Sequence, residues 1–261
     1  FILFYIESLL LPTNIQFYPG ERPNEGVLSV EPCTPGYGTT LGNALRRVLL
    51  SSLPGAAITS VKIRGVDHEF STLDRVKEDA LEIILNLKLV RVKLYSEEPV
   101  TLHLEVKGEQ VVTAGMFQKN ADVEIVNPDL VIATLTDKSA TFEMDATISP
   151  GRGYRSTEER LKEKMDLGEI SIDALFSPVT NVSYQVTPTR VGDKTDFDKL
   201  ILNIETDGTI DPIDACNNAV SILLDHLNLL KNLDYQTLTA PVEEPVAETE
   251  PEESQEPETE E

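Results

Sequence analysis

Apolar residues recur every three or four positions over two long stretches of the chain, and this spacing predicts two long helices. The first helix occupies residues 38–52, after the turn Gly36-Tyr37-Gly38. The second occupies residues 211–231, because Asp211-Pro212 is a typical helix start, with Asp as N-cap and Pro at the first helical position. The second helix is apolar over more than one face, whereas a monomer needs only one. The two helices therefore predict a helical dimer interface, with Leu41, Leu45, Val48, Leu49, Val220, Leu223, Leu224 and Leu227 as its residues.

The pattern between the two long helices is mostly that of strands. A shorter amphipathic helix is predicted over residues 76–87, with an inward stripe that ends at Leu87. Alternating or continuous apolar runs predict strands at residues 11–17, 26–30, 58–66, 102–106, 130–135, 142–148, 181–191 and 200–206. Residues 149–154 are predicted to be a loop, residues 156–164 a short charged helix or a disordered segment, and residues 166–179 a loop with extended pieces. The whole pattern predicts an α+β fold.

The glycine-rich turn before the first helix allows three interpretations. It begins an ordinary core helix, it cradles a phosphate at a helix N-terminus, or it begins a helix that buries its apolar face against a partner chain. The phosphate interpretation is the weakest, because Asn43-Ala44 follows the last glycine where a Walker loop needs Lys-Ser or Lys-Thr. Residues 30–35 contain two prolines, so no clean strand is expected before the turn. Thr39 or Thr40 is expected to cap the helix.

Residues 36–55 closely resemble the signature of the bacterial RNA polymerase alpha subunit. Further blocks resemble the same family in the family's order, at residues 66–72, 82–88, 122–128, 151–154, 172–179, 195–200 and 203–212. The resemblance covers residues 8 to 233 and is far more specific than one glycine pattern. It therefore favours the interpretation in which the first helix meets a partner chain.

The resemblance implies the fold of a two-part alpha-subunit N-terminal domain. Residues 8–54 and 179–233 would form a discontinuous dimerisation subdomain with the two long helices, and residues 55–178 a β-rich inserted subdomain. Residues 234–261 would form a disordered acidic tail. The implied function is that of a homodimeric platform on which the beta and beta' subunits assemble for DNA-templated transcription in the bacterial cytoplasm. The omega and sigma subunits would be reached only within the holoenzyme.

The family's assembly residues transfer to this sequence by position. The resemblance implies Arg47 and Leu50 for the beta subunit, and Glu82, Lys88, Ile172, Val179 and Lys199 for the beta' subunit. Arg47 also has a physical rationale, because a guanidinium beside an apolar stripe offers a directional, fork-shaped contact to a carboxylate or to backbone carbonyls. Arg46 and Arg47 are adjacent, so on a helix they point about 100° apart and cannot face the same surface.

Composition and charge exclude several other classes. The formal net charge of -23, with no basic cluster, argues against nonspecific nucleic-acid binding. Cys33 and Cys216 form no C-x-x-C pair, which favours a reducing compartment. The histidines are scattered, without metal-ligand spacing, and no D-x-D-x-D motif occurs. We expect no metal, no nucleotide or other cofactor and no catalytic residue in this chain, which would belong to a nucleotidyltransferase only as a non-catalytic subunit.

The two ends of the sequence differ in character. Residues 1–6 are apolar but have no positive n-region and are too short to span a bilayer, so no targeting or membrane segment is predicted, and they read as an extension of the usual family start. Residues 243–261 contain ten Glu and no Lys or Arg. Family members usually continue into a small domain that contacts promoter DNA and activators. None follows here, so little or no direct DNA contact is expected of this chain.

Two other functions stay open at this point. A stand-alone nucleotide-binding enzyme built on the glycine-rich stretch predicts that Gly42→Val abolishes ligand binding and leaves dimerisation intact. A generic dimeric structural protein predicts that Arg47→Ala has no effect. The polymerase interpretation predicts instead that Arg47→Ala leaves the dimer folded but prevents recruitment of the beta subunit.

Overall fold

The structure, a computed structural model, describes residues 10–160 and 168–231. The predicted extension at residues 1–6, the predicted acidic tail at residues 234–261 and most of the second half of the predicted helix at 156–164 lie outside the described residues. The chain divides into two compact units, residues 1–223 and residues 224–261. Of the second unit, the structure describes the end of the last helix.

The described elements confirm the α+β class. The strands are β1 Asn14–Pro19, β2 Glu25–Cys33, β3 Pro54–Ile63, β4 Val92–Leu94, β5 Val100–Lys107, β6 Val111–Thr113, β7 Val123–Ile125, β8 Val131–Thr134, β9 Thr141–Arg152, β10 Tyr154–Arg155, β11 Ile170–Ser171, β12 Ala174–Leu175, β13 Val179–Val191 and β14 Lys194–Thr206. The helices are α1 Tyr37–Ser51, α2 Ala80–Leu87, α3 Thr157–Arg160 and α4 Pro212–Lys231, with a 3-10 turn at Ala114–Met116.

The first sheet is antiparallel in the order β1-β2-β14-β13, and α1 packs on β13 and β14. Its hydrophobic core takes residues from two distant parts of the chain, 28–53 and 179–219, and is called the split core below. Gly42 permits the close approach of α1 to the sheet. A Cβ at this position would lie 2.7 Å from the Tyr184 ring and 2.9 Å from Leu200 Cδ1. A larger residue would therefore push the helix off the sheet.

The second sheet has the order β11-β3-β9-β5, and its core comes from one uninterrupted stretch, residues 58–172. This cluster is called the continuous core below. On β5, Leu102, Leu104 and Val106 are buried while the residues between them are not, which confirms the predicted alternation. The inward face of α2, which includes Ile83 and Leu87, is also buried there as predicted.

Helix α1 is capped differently from the prediction. Gly36 occupies the N-cap position in the left-handed region, without a side-chain cap. The carboxylate of Asp198 on β14 accepts hydrogen bonds from Gly36 N at 2.8 Å and Gly38 N at 3.3 Å. Thr40 Oγ1 instead donates to Gly36 O at 3.2 Å, so the prediction of a threonine cap is wrong. The N–H groups that a phosphate would take are bonded to a carboxylate of the chain itself, which disfavours the phosphate interpretation.

Strand β2 runs directly into this turn, although no clean strand was expected there. It continues through Pro32 to Cys33. The ladder between β2 and β14 shifts register between Asp198 and Leu200, so an irregular position lies beside the proline. A proline without an N–H is tolerated at such a bulge, because the regular donor is not needed there.

The predicted loop at residues 149–154 is also mostly strand. Strand β9 extends to Arg152, which pairs with Pro54 at the start of β3. Gly153 follows with a φ of 66°, which interrupts the strand, and Tyr154–Arg155 then form β10. Glycine and proline therefore occur here inside paired strands, which their usual preference for turns does not predict.

Helix α2 is about one turn shorter than predicted. It begins at Ala80, because the side chain of Asp79 accepts a hydrogen bond from Glu82 N at 2.7 Å and caps the helix. Glu78, just before the helix, is half-buried, and its carboxylate accepts bonds from Thr134 N at 2.6 Å and Thr134 Oγ1 at 2.9 Å.

Candidate protein-interaction surfaces

The two arginines in the C-terminal half of α1 have different environments, because one bonds to the neighbouring sheet and the other is left exposed. Arg46 Nε donates to Val182 O at 3.0 Å and ties the helix to β13. Arg47 is exposed, and its guanidinium forms no hydrogen bond or ion pair with any described residue. Leu50, on the next turn, is half-buried against the split core. The two positions present a free cation beside an apolar edge, which suits recognition of a carboxylate.

The predicted dimer residues differ in their burial. Leu45 and Leu49 lie inside the split core and offer no side-chain surface to a second copy, so the interface prediction rests on the other members. Those members are the half-buried Val48 and Leu223, the exposed Leu41 and Val220 and, in the second unit, the exposed Leu224 and Leu227. All buried residues of α4 precede Val220, and beyond Leu223 the leucines of this helix are exposed to solvent. Such a surface is typical of an oligomer interface.

Lys88 belongs to a polar junction between three segments. Its Nζ lies 2.9 Å from Asp173 Oδ2, and Asp173 Oδ1 accepts a bond from Thr157 N at 2.8 Å. These hydrogen bonds lower the pKa of Asp173 below its usual range, and the bond from Lys88 has a larger effect than the bond from Thr157. The carboxylate thus joins the end of α2, the start of α3 and the segment between β11 and β12.

The other residues predicted to contact the beta' subunit are dispersed. Ile172 is buried in the continuous core and Val179 in the split core, so neither presents a side-chain surface. Lys199 lies on β14 in the first sheet, where its Nζ is 3.1 Å from Glu31 Oε2. Glu82 is exposed on α2. The structure therefore brings Lys88 beside the segment of Ile172 but places Lys199 on a different sheet.

Two exposed apolar groups were not predicted from the sequence. Leu81, Leu85 and Leu89 form an outer stripe along and just beyond α2. Their spacing of four residues was the available signal, because it lies outside the inward stripe of the same helix. Tyr154 and Leu175 face each other on β10 and β12 and are also exposed. No local pattern indicates that pair, since its members are far apart in the sequence.

The described ranges contain no group of three His, Cys, Asp or Glu residues that could hold a metal ion. Cys33 and Cys216 are buried free thiols, and burial raises the pKa of each. Across residues 10–160 and 168–231, none of the helices combines the length and apolar character that crossing a membrane requires.

The sequence matches a family model and several curated proteins. Residues 61–177 match the RNA polymerase Rpb3/RpoA insert domain. The chain is 53% identical over 208 residues to the DNA-directed RNA polymerase subunit alpha of Alkaliphilus oremlandii, covering 80% of this chain and 65% of that protein. It is 52% identical over 213 residues to the same subunit of Symbiobacterium thermophilum, covering 82% and 67%, and 48% identical over 222 residues to that of Oceanobacillus iheyensis, covering 85% and 70%.

The chain belongs to the RNA polymerase alpha-subunit family. The resemblance of its sequence blocks to that family is thereby confirmed. This member spans about two thirds of the length of the curated alpha subunits that it matches. The stretch that matches the insert-domain model takes in nearly all of the continuous core.

The Asp173 junction of this alpha-subunit family member makes stability depend on pH. A carboxylate whose pKa is lowered by folding stabilises the fold above its unfolded pKa of about 4, and this contribution is lost as the pH falls through the lowered value. Asp173→Asn should therefore reduce the free energy of unfolding by about 1 kcal/mol at pH 7, since both partners are partly exposed. The difference should shrink steadily below pH 4, as urea unfolding at several pH values would reveal.

Asp67→Asn is the matched control for this measurement. Asp67 is exposed, and its side chain forms no hydrogen bond within the described part of the chain. The stabilising role of the junction would be contradicted if both variants lost the same free energy of unfolding at pH 7. It would also be contradicted if the free-energy loss of Asp173→Asn were unchanged at pH 2.

Proposed function

We propose that the chain is the alpha subunit of a bacterial DNA-directed RNA polymerase and that two copies form the platform on which the beta and beta' subunits assemble. The observation that carries this proposal is the similarity, over 80–85% of the chain, to proteins that bear the name of that subunit. The free arginine and the uncovered apolar side chains of α1 and α4 support it, because a scaffold needs such surfaces for its partners.

In this proposal, different parts of the chain form two subdomains. Residues 8–54 and 179–233 form the dimerisation subdomain, and residues 55–178 form the insert. The split core and the continuous core support this division, since each cluster draws its residues from one of the two sets. Residues 234–261 follow as an acidic tail.

The partners are assigned by surface. The beta subunit contacts Arg47 and Leu50, and the beta' subunit approaches α2 at Glu82 in its first turn and at Lys88 at its C-terminal end. A second copy covers the exposed apolar residues of the two helices, which are Leu41 on α1 and Val220, Leu224 and Leu227 on α4. Ile172, Val179 and Lys199 remain proposed beta' positions; the burial of Ile172 and Val179 means that only their backbone can contribute.

In this proposal the chain contributes to nucleotidyl transfer in the bacterial cytosol without a catalytic group of its own. The bonds from the glycine-rich turn to Asp198 support this part, because they occupy the donors that a nucleotide phosphate would use. The strongly negative charge supports a role without direct DNA contact. Contact with omega and sigma is indirect, through the assembled enzyme.

Arg47→Ala tests the platform. The variant should remain a folded homodimer but bind the beta subunit of the same genome about thirtyfold more weakly, because loss of a charged interface anchor costs about 2 kcal/mol. Native mass spectrometry of the co-expressed chains measures the fraction of the two-to-one complex.

Lys119→Ala is the control, because Lys119 is an exposed cation on the insert without a side-chain partner among the described residues. A wild-type homodimer that ignores the beta subunit would refute the platform and favour a generic dimeric protein. Saturable micromolar binding of nucleoside triphosphates by the isolated chain in isothermal titration would instead revive the enzyme interpretation.

A further inference from the structure

The two-stranded ribbon of β10 and β12 displays an apolar pair with no use inside the chain. Tyr154 and Leu175 are direct cross-strand partners. Tyr154 is 61% exposed and Leu175 is 48% exposed. The Tyr154 hydroxyl has no hydrogen-bond partner among the described residues. An aromatic residue opposite a leucine is a favourable strand pair, and here the pair's outer surface remains in water.

The ribbon is firmly attached to the second sheet. Phe176, directly after Leu175, is 3% exposed, and its N–H donates to Gly153 O at 2.8 Å. Its ring lies against Gly151, where a Cβ would be only 2.7 Å away. The backbone approach to Gly55 is closer still, since a Cβ there would lie 1.8 Å from Phe176 O. The exposed pair is therefore held in place by a buried neighbour and is ordered before any partner arrives.

The ribbon lies beside the helix that carries Arg47. Arg152 pairs with Pro54, close after the end of α1. The Cβ position of Gly153 lies 3.5 Å from Ser51 O, and Ser51 Oγ donates to Arg47 O at 2.8 Å. The ribbon thus lies against the last turn of the helix that presents Arg47.

Two exposed arginines, Arg47 and Arg152, lie in this area. Arg152, like Arg47, is exposed and forms no hydrogen bond or ion pair with any described residue. The chain carries a net charge of -23, and these two arginines are cations that no described carboxylate neutralises. A complementary partner presents carboxylates around an apolar pocket.

We propose that Arg152, Tyr154 and Leu175, called the ribbon surface, dock the same large subunit as Arg47 and Leu50. This inference rests on the proposed platform function and extends it by a second point of attachment. The Tyr154 ring enters an apolar pocket whose rim carries carboxylates, and Arg152 pairs with that rim. Because the ribbon is ordered in advance, the ring is buried at little entropic cost, which is characteristic of the anchors that dominate interface energetics.

Binding of the full-length chain to the beta subunit of the same genome tests the ribbon surface. The variants are Tyr154→Ala, Leu175→Ser and Arg152→Glu, compared with Arg47→Ala. Tyr95→Ala is the matched control, because Tyr95 is 59% exposed and lies elsewhere on the insert. Circular dichroism and the homodimer mass verify folding. Tyr154→Ala should raise the dissociation constant about tenfold or more. Arg152→Glu should also weaken binding, and the dissociation constant of this variant should depend less on salt concentration than that of the wild type.

The outcomes separate this inference from the function on which it rests. Weak binding by Tyr154→Ala and Leu175→Ser, with normal binding by Tyr95→Ala, supports the ribbon surface. If Arg47→Ala weakens binding while both ribbon variants behave like the control, the platform stands and the ribbon surface is refuted. If Tyr154→Ala dissociates the homodimer instead, a second copy covers the ribbon and the inference is wrong. A wild-type chain that does not bind the large subunit overturns both.

Discussion

Gly55→Ala should destabilise the chain by about 3 kcal/mol or more, a large part of the 5–15 kcal/mol that is typical of a folded domain. The reason is the close approach of two backbone segments. A Cβ at residue 55 would lie 1.8 Å from the carbonyl oxygen of Phe176. No rotamer change can relieve a clash with a backbone atom, so β3 or the β12 segment must move. Gly55 is also paired with Gly151, so the movement would open the β3–β9 ladder.

Gly65→Ala provides the comparison for this unfolding experiment. Gly65 has a φ of 82° and no atom within 4 Å of its Cβ position. Its replacement should therefore cost only about 1 kcal/mol, from backbone strain alone. Urea unfolding followed by circular dichroism measures both variants. If Gly55→Ala costs no more than Gly65→Ala, the packing of Phe176 against β3 is incorrect.

The second large effect is expected from Leu224→Asp combined with Leu227→Asp, which should convert the proposed dimer into folded monomers. Leu224 is 52% exposed and Leu227 is 57% exposed in the single chain, so a charge at either position is harmless to the monomer. In the proposed dimer each carboxylate would be buried without a partner, at a cost of about 3 kcal/mol or more. The dimer dissociation constant should rise at least about a thousandfold. Sedimentation equilibrium measures the change.

Leu85→Asp combined with Leu89→Asp is the matched control for dimerisation. These residues of the outer α2 stripe are 51% and 52% exposed. Their substitution places the same charges on another apolar surface and should leave the dimer intact. A dimer that survives the α4 substitutions at the same protein concentration, or that dissociates with the α2 pair, would locate the interface elsewhere.

The elements that the sequence predicted best are those whose signal is local. The α4 start at Asp211-Pro212 and the alternation on β5 follow from the chemistry of neighbouring residues, and the structure has both. The different orientations of Arg46 and Arg47 follow from helix geometry alone. The family itself was predictable because its signature is a long run of specific residues.

The features that the sequence did not predict depend on partners distant in the chain. The first turn of α1 is capped by Asp198, which lies 162 residues after Gly36 in the sequence, and not by a nearby threonine. Leu45 and Leu49 read as interface residues, but β2, β13 and β14 supply enough apolar surface to bury them within the chain. The Tyr154–Leu175 pair exists only because the ribbon forms. No rule of spacing along the sequence can reveal such contacts.

The split core has a consequence for biosynthesis. When a ribosome has produced residue 172, every residue of the continuous core is present, whereas α1 still lacks β13, β14 and the Asp198 carboxylate that holds its first turn. The nascent insert can close by itself, but the apolar face of α1 stays uncovered until β13 and β14 have been translated. During that interval the face is open to aggregation. The order of translation thus makes the first long helix, although it is synthesised early, one of the last elements to become protected.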